Sequence, residues 1–465
     1  MRKKTILCVL VCMSFLLTNN ILSAKIIKQN EEDITSSLDE TEESNWTVMI
    51  YLAADVSGRT NFIDYFFDIF SDIGSDDEFK LIMLVDGLEI DDTGYYYIKK
   101  DIAVPISWYE SESDMASSKT FERFLNLTRY YFPAEHYALI TISDNGAGWQ
   151  GVFSDTHGTG KLSALTILPI AEAGEVLKKV TCNGTNKIDL WATDVCIPGS
   201  IEVAYEISPY VNYFVANQEC GGEGKLSQEN NKPLDWNYSS FLRQLKENID
   251  MSPENFAKTI VDSFNPGTWE FKLFFNTIAA PKWYPAPKFH TTLSTSNLNN
   301  IGQLINSIDA LSTMLLENIS EIKNEIKNTR SEVREYGNIY RKFWFIPATL
   351  YYLMPHKEFA YNGYIDLYDF IEKFKNKTSN VEIQNSCEQV MNDLNTTIIK
   401  NNVLSTDPSH GLSIYFPDTR CVYNQHLHRT VGGKNFRKIP SPYEDTLFSQ
   451  NTHWDEFLKA YLNIG

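Results

Sequence analysis

Cysteine is scarce in this sequence, with seven residues in 465, and no Cys-x-x-Cys pair or His/Cys cluster occurs. A structural zinc site and a small disulfide-stapled domain are therefore excluded. Basic residues are also in the minority: 41 Lys and Arg stand against 60 Asp and Glu, which gives a formal net charge of -19. Such a charge disfavours binding to phosphate backbones and to anionic lipids. No nucleic-acid partner is expected.

Long apolar runs are also lacking, apart from a short one near the amino terminus. Residues 6–17 are apolar, follow three basic residues and precede the small-residue stretch Leu22-Ser23-Ala24. This pattern predicts a secretory signal peptide over residues 1–24, and hence a secreted or extracytoplasmic protein. A retained amino-terminal anchor is the alternative, because the two kinds of segment look alike. No later stretch is long enough to predict a membrane span.

Residues 25–45 form the next segment, which is rich in Asp and Glu and contains no aromatic residue. Such a segment cannot bury enough apolar surface to offset the entropy lost on ordering. We expect a disordered acidic leader, which serves either as a spacer or as a removable pro-segment.

Beyond the leader the sequence has the pattern of a folded core. Hydrophobic residues make up 43% of the chain, a normal share for a globular protein. Short apolar runs such as residues 48–52, 81–85 and 188–192 alternate with segments of helical spacing such as 62–73. Strands this apolar are buried on both faces, so residues 46–265 are predicted to form an α/β fold with a mainly parallel sheet. Ligands of such sheets bind at the carboxyl ends of the strands.

The carboxyl-terminal region, residues 266–465, has a different pattern. Leu and Ile recur every three or four positions over residues 304–326, which predicts one long helix with an apolar packing stripe. Further helices are predicted at 366–374, 383–394 and 454–462. We therefore expect a helix-rich region that packs on the core.

One cysteine stands out by its position. Five cysteines remain after removal of residues 1–24, and an odd number in an exported protein implies one free thiol. Cys196 follows the apolar strand at 188–192 and precedes the helix-start signal Pro198-Gly199-Ser200. A thiol between a strand end and a helix start is a candidate nucleophile, because the helix dipole favours the thiolate. A buried structural cysteine is the alternative.

Several stretches near this cysteine resemble one known family. They are His136-Tyr137-Ala138-Leu139-Ile140, Gly146-Ala147-Gly148-Trp149, Asp194-Val195-Cys196 and Glu202-Val203-Ala204-Tyr205-Glu206. With further matches over nearly all of the mature chain, the sequence resembles the clostripain family of cysteine endopeptidases. The resemblance implies a caspase-like three-layer sandwich and cleavage of peptides after Arg or Lys.

The resemblance also implies roles for individual residues. Cys196 corresponds to the nucleophile, and Asp194 to the carboxylate that binds a substrate's Arg or Lys. The backbone N–H groups of Gly146 and Cys196 correspond to the oxyanion donors. The family's general-base His is replaced, because this chain has Asn145 at that position. An amide cannot accept a proton at any accessible pH, so peptide hydrolysis is expected to be impaired.

Three other positions bear on activity. His157, twelve residues after Asn145, is a candidate substitute base. Lys225 interrupts an aromatic element that often occurs in the family, and it would compete with a substrate's cation at the pocket. Lys161 lies in the segment between the two catalytic strands, where family members commonly cut themselves. Self-cleavage there requires that catalysis survives.

Three functions are open at this point. The protein is an impaired peptidase homologue that binds a peptide or protein in the former cleft, an active cysteine endopeptidase with an altered general base, or an interaction module that uses its carboxyl-terminal helices. No cofactor and no metal are expected, because acidic runs such as residues 76–78 and 91–92 lack the spacing of a calcium-binding loop. The oligomeric state and any disulfide pairing are not encoded in a readable pattern.

Overall fold

The structure is a computed structural model that describes residues 42–55, 60–143, 146, 148–156, 166–219, 221, 236–270, 288–337, 363–420, 423 and 442–464. The predicted signal peptide (residues 1–24) and most of the predicted leader (25–45) lie outside these residues. The first strand begins at Ser44, two residues before the predicted start of the core.

The described residues form strands and helices in alternation. The strands are, in chain order, β1 (Ser44–Ala53), β2 (Phe79–Asp86), β3 (Gly94–Lys99), β4 (Ile102–Ile106), β5 (Ala134–Ser143), β6 (Ser154–Asp155), β7 (Thr166–Ile167), β8 (Ile188–Asp194), β9 (Val211–Ala216), β10 (Thr268–Glu270), β11 (Lys288–His290), β12 (Leu293–Asn297), β13 (Glu335–Tyr336), β14 (Tyr364–Asp366), β15 (Ile398–Asn402) and β16 (Ser413–Tyr415). The helices are α1 (Thr60–Ile73), α2 (Ser118–Tyr131), α3 (Ile170–Val180), α4 (Ile201–Ile207), α5 (Tyr238–Glu247), α6 (Pro253–Ser263), α7 (Ile301–Glu317), α8 (Ile319–Arg330), α9 (Leu367–Lys377), α10 (Val381–Thr397), α11 (Leu447–Asn451) and α12 (Trp454–Leu462). None of these helices is long and apolar enough to cross a membrane.

The main sheet has nine strands in the order β15-β12-β9-β8-β5-β1-β2-β3-β4. The five central strands, from β9 to β2, pair in parallel. The two strands on either side of them are antiparallel to their neighbours. The predicted α/β fold with a mainly parallel sheet is therefore confirmed.

A hydrophobic core lies on each face of this sheet. Adjacent residues of β8 enter opposite cores, Leu190 on one face and Trp191 on the other, as the two-residue period of a strand requires. Helices α1, α5 and α6 cover the face of Leu190, and helices α2, α3, α4 and α7 cover the face of Trp191. Burial on both faces explains why the central strands are almost continuously apolar.

The carboxyl-terminal region supplies strands as well as helices. Strands β12 and β15 extend the main sheet beyond β9, and β13, β14 and β16 form a separate small sheet. The prediction of one helix over residues 304–326 is wrong, because α7 ends at Glu317 and α8 begins at Ile319, with Asn318 between them. The side-chain amide of Asn318 donates to the carbonyl oxygen of Met314 at 2.8 Å, a local bond that competes with helical hydrogen bonding.

Candidate active site

The carboxyl ends of β5 and β8 meet at one edge of the sheet. The two strands are parallel neighbours with Ile142 opposite Asp194, so the residues that follow them leave the sheet side by side. Cys196 comes two residues after the end of β8, its sulfur is a thiol, and its side chain is half-buried. The predicted location of Cys196, at the carboxyl end of a buried strand, is confirmed.

The backbone directly after Cys196 adopts an uncommon conformation. Ile197 has a φ of +56° and is fully buried, although a β-branched side chain disfavours the left-handed region. The next residues are held from two sides: the Gly199 N–H donates to the Asn217 carbonyl at 2.8 Å, and the Gly199 carbonyl accepts the Ser413 N–H at 2.9 Å. Strain that the surroundings hold in place is typical of functional sites.

A short helix, α4, begins after Cys196, as the sequence pattern predicts. Ser200 is the N-cap of this helix, and its hydroxyl accepts the Val203 N–H at 3.4 Å. The helix has only seven residues and begins five positions after Cys196. Stabilisation of a Cys196 thiolate by the dipole of this short helix stays a prediction.

Gly146 connects the two strand ends. It is buried, and a Cβ atom placed on it would lie 2.7 Å from the carbonyl oxygen of Cys196 and would overlap the Val195 side chain. Only glycine lets the two backbones approach this closely. The structure thus brings Gly146 and Cys196 together, and the role of their N–H groups as oxyanion donors stays a prediction. Asn145 lies outside the described residues, between Ser143 and Gly146 in the chain.

Asp194 is held by a partner that the sequence does not reveal. Asp194 is 8% exposed, and its Oδ2 atom accepts the hydroxyl hydrogen bond of Tyr238 at 2.6 Å. Tyr238 is the first residue of α5, which packs on the opposite face of the sheet from α4. A cationic ligand of Asp194 would meet a carboxylate whose orientation Tyr238 already sets. Lys225 lies outside the described residues.

The described ranges contain four histidines. Each has an aspartate close to its ring: His136 with Asp189, His290 with Asp407, His410 with Asp366, and His453 with Asp309. His136 is near the start of β5, at the opposite end of the strand from Cys196, as predicted. The candidate substitute base His157, and Lys161, are not among the described residues.

Two glutamates of α4 anchor the carboxyl-terminal region behind the site. Glu202 is fully buried, and its Oε1 atom accepts the Tyr415 N–H at 2.8 Å and the Tyr443 hydroxyl at 3.0 Å. Glu206 accepts the Leu447 N–H at 2.8 Å. Burial raises the pKa of both carboxyl groups to about 7. These contacts give a structural reason for the two glutamates, to which the resemblance in sequence assigns no role.

A tyrosine from the small sheet supports the loop after β5. The hydroxyl of Tyr364 accepts the Trp149 N–H at 3.2 Å. It also lies so close to Gly148, whose φ is +58°, that a Cβ atom placed on this glycine would overlap it. Trp149 packs edge-on against Tyr415 and Tyr443, the same residues that meet Glu202. The carboxyl-terminal region therefore supports both loops of the candidate site. The sequence pattern predicts only that this region packs on the core.

Comparisons with solved structures identify proteins of similar fold. An inactive zymogen C11 protease from Parabacteroides distasonis has a TM-score of 0.54 at 15% identity, covering 88% of this chain and 98% of its own. A secreted C11 cysteine protease from Bacteroides thetaiotaomicron, solved with an irreversible peptide inhibitor, has a TM-score of 0.52 at 15% identity, covering 90% and 99%. At such identities these structures establish the fold: the protein has the α/β architecture of C11 proteases.

The family follows from sequence. The model of the Clostripain family matches residues 50–461. Because this match spans most of the chain, the protein belongs to the Clostripain family. A comparison with curated proteins found no match.

Proposed function

We propose that this protein is an exported Clostripain-family member that is impaired in peptide hydrolysis and binds a peptide or protein in the cleft between the ends of β5 and β8. The observation that carries the proposal is the close contact of Gly146 with Val195 and Cys196, which keeps the two site loops together. The sequence departs from the family pattern at Asn145, which occupies the position of the family's general-base His. A retained scaffold without a base favours binding over turnover.

The chemistry explains the expected impairment. A thiol with a pKa near 8.5 is only a few per cent thiolate at neutral pH unless a neighbouring base or charge lowers that pKa. Cys196 would also lack an imidazolium to protonate the leaving amine. In a comparable nucleophile–base pair, loss of the base lowers kcat by on the order of 10⁶. The backbone N–H groups of Gly146 and Cys196 can still bind a substrate carbonyl.

A peptide is the ligand class that fits best. The similar protease from Bacteroides thetaiotaomicron was solved with a peptide inhibitor, which supports a peptide for this chain as well. Asp194 is the proposed partner of a basic side chain. Its buried carboxylate lies at the edge of the sheet where ligands of parallel sheets bind.

Binding of a fluorescent peptide with one central Arg, followed by anisotropy, tests the proposal. We expect saturable binding that Asp194→Asn weakens. Asp189→Asn is the matched control, because it makes the same change at the opposite end of β8 and should leave affinity unchanged. Equal affinity in the wild type and in Asp194→Asn would instead favour an interaction module that leaves the cleft idle.

An active endopeptidase that cleaves after Arg or Lys is the second candidate. The strained Ile197 next to Cys196 favours it, because such strain is costly to keep without a use. It predicts reductant-dependent hydrolysis of Arg or Lys peptides that Cys196→Ala abolishes. If His157 is the substitute base, His157→Ala should abolish hydrolysis too. Cleavage near Lys161 into two chains would accompany such activity.

Export through a cleaved signal peptide is part of the proposal. It rests on the pattern of residues 1–24 and on the secreted relative from Bacteroides thetaiotaomicron. Residues 25–45 would form the leader, 46–265 the peptidase-type core, and 266–465 the supporting region. Amino-terminal sequencing of protein recovered from the culture medium should begin at Lys25.

A further inference from the structure

The turn that carries Cys196 is fastened to the residue that follows the neighbouring strand β9. This residue is Asn217, and it is 3% exposed. Its side-chain amide donates to the carbonyl oxygen of Val195 at 3.4 Å, and its own carbonyl oxygen accepts the Gly199 N–H at 2.8 Å. Asn217 therefore contacts the turn both before and after Cys196 in the chain.

The backbone contact between Asn217 and Gly199 is close. A Cβ atom placed on Gly199 would lie 2.7 Å from the Asn217 carbonyl oxygen, so only glycine permits this approach. Ser413 holds Gly199 as well, since its N–H and its hydroxyl donate to the Gly199 carbonyl at 2.9 and 3.0 Å. The backbone of Asn217 is thus fixed against the turn. Its side-chain bond of 3.4 Å is long, as hydrogen bonds in a site without its ligand often are.

The amide of Asn217 has one atom that packing alone does not explain. The Val195 carbonyl only accepts hydrogen bonds, so the nitrogen of the amide faces it. The Oδ1 atom of Asn217 is buried and has no hydrogen-bond partner among the described residues. Such an acceptor destabilises the folded state, and an apolar side chain of the same size would avoid that cost. The presence of the amide is therefore best explained by the bond that it donates.

This bond acts on the N–H of Cys196. The Val195 carbonyl and the Cys196 N–H belong to one planar trans peptide group, so they point in opposite directions. Strand β8 lies between β9 and β5 in the sheet. Because Asn217 holds the carbonyl on the side of β9, the N–H is directed to the side of β5. Gly146, the other predicted oxyanion donor, follows β5 and lies against Cys196 on that side.

We propose that Asn217 is a positioning residue of the oxyanion site: its amide fixes the peptide group between Val195 and Cys196, so that the Cys196 N–H faces the carbonyl oxygen of a bound peptide. The hydrogen bond also polarises this peptide group, which makes its N–H a better donor. The inference rests on the proposed binding of a peptide in the cleft. The contact of Asn217 with Val195 spans 22 positions, so no local sequence pattern indicates it.

Two fluorescent peptides that differ only in their last group separate positioning from packing. One ends in an Arg aldehyde and the other in an Arg amide. With the aldehyde, the Cys196 sulfur bonds to the carbonyl carbon, the C=O double bond becomes single, and the thiol proton moves to the oxygen. This oxygen is the atom that the two N–H groups would bind. The addition is an equilibrium, so it does not need the missing base, and the ratio of the amide Kd to the aldehyde Kd reports on the oxyanion site.

We expect the wild type to bind the aldehyde more tightly than the amide, and Cys196→Ala to bind both equally. Asn217→Leu, which is of similar size, should lower the ratio about tenfold, the effect of about one hydrogen bond, and should leave the amide Kd unchanged. Asn217→Ala is the second variant, because it adds no bulk, and it should lower the ratio as well.

Asn401→Leu is the matched control and should keep the wild-type ratio. The amide of Asn401 donates to the Ser409 carbonyl at 2.8 Å, and its Oδ1 atom likewise lacks a partner in the described ranges. Asn401 is in β15, which lies three strands away from β8.

Three results would overturn the inference while peptide binding itself stands. They are a wild-type ratio in both Asn217 variants, equal weakening of both peptides by these variants, and no preference of the wild type for the aldehyde. Failure of the proposed function gives a different result, because neither peptide would then bind saturably, and the inference would fall with it.

Discussion

Glu202 gives the protein a pH-dependent stability whose size can be worked out from the structure. The carboxyl group is fully buried and hydrogen-bonded through Oε1 to Tyr415 and Tyr443, while Oε2 has no partner in the described part of the chain. Burial raises its pKa from 4.5 to about 7. The folded state therefore holds this proton more tightly than the unfolded state does.

The sign and the magnitude follow from that difference. A raised pKa contributes stability that is fully present below pH 4.5 and is lost as the pH rises through about 7. Each pKa unit corresponds to 1.36 kcal/mol, so a pKa difference of about 2.5 between the folded and unfolded states changes the free energy of unfolding by about 3 kcal/mol. Glu202→Gln stays neutral and keeps an oxygen for Tyr415 and Tyr443. The variant should therefore gain about 3 kcal/mol relative to the wild type between pH 4.5 and about pH 8.

Urea unfolding of both proteins across this pH range measures the effect. Glu206 titrates in the same range, but it is present in both proteins and cancels in the difference. The quantity of interest is the free energy of unfolding of Glu202→Gln minus that of the wild type at each pH. A difference that stays constant with pH would refute the reasoning, because Glu202 would then have the same pKa in the folded and unfolded states.

Three further predictions concern the site loops. Gly146→Ala should lower the free energy of unfolding by about 1 to 3 kcal/mol through overpacking, and adding Val195→Ala should recover part of the loss in urea unfolding. Tyr238→Phe should cost about 1.5 to 3 kcal/mol, because a buried carboxylate loses a donor, and urea unfolding at neutral pH measures it. Thiol labelling of the native protein should modify half-buried Cys196 faster than buried Cys387. Burial raises the pKa of the Cys387 thiol to about 12. Equal labelling rates would contradict the assigned exposure of Cys196.

The central sheet was predictable because its strands are buried on both faces, which makes them apolar runs. Strand β12 was not predictable, because its sequence Leu-Ser-Thr-Ser-Asn is mostly polar, although most of the strand is buried. One of its hydroxyl groups has a distant partner, since Ser294 donates to the carbonyl oxygen of Gly411 at 2.6 Å. The sequence does contain a helix-start signal for α6, namely the N-cap residue Ser252 followed by Pro253 at the first helical position.

The same contrast holds for the site. The positions of Gly146, Asp194 and Cys196 followed from motifs at strand ends. The contact between Tyr238 and Asp194 joins residues 44 positions apart, and no local pattern encodes it. The support of Trp149 by Tyr364 spans 215 positions and depends on how the carboxyl-terminal region folds back. Long-range polar contacts of this kind arise from tertiary packing, so a single sequence does not reveal them.

The most direct test of the proposed function is the hydrolysis rate of Arg and Lys peptides by the wild type, Asn145→His and Asn145→Ala, each with and without Cys196→Ala. We expect the wild type and Asn145→Ala to stay at the background set by Cys196→Ala. Asn145→His should rise above that background, since an imidazole would supply both a base and a proton donor beside the thiol. Wild-type turnover that Cys196→Ala abolishes would contradict the account.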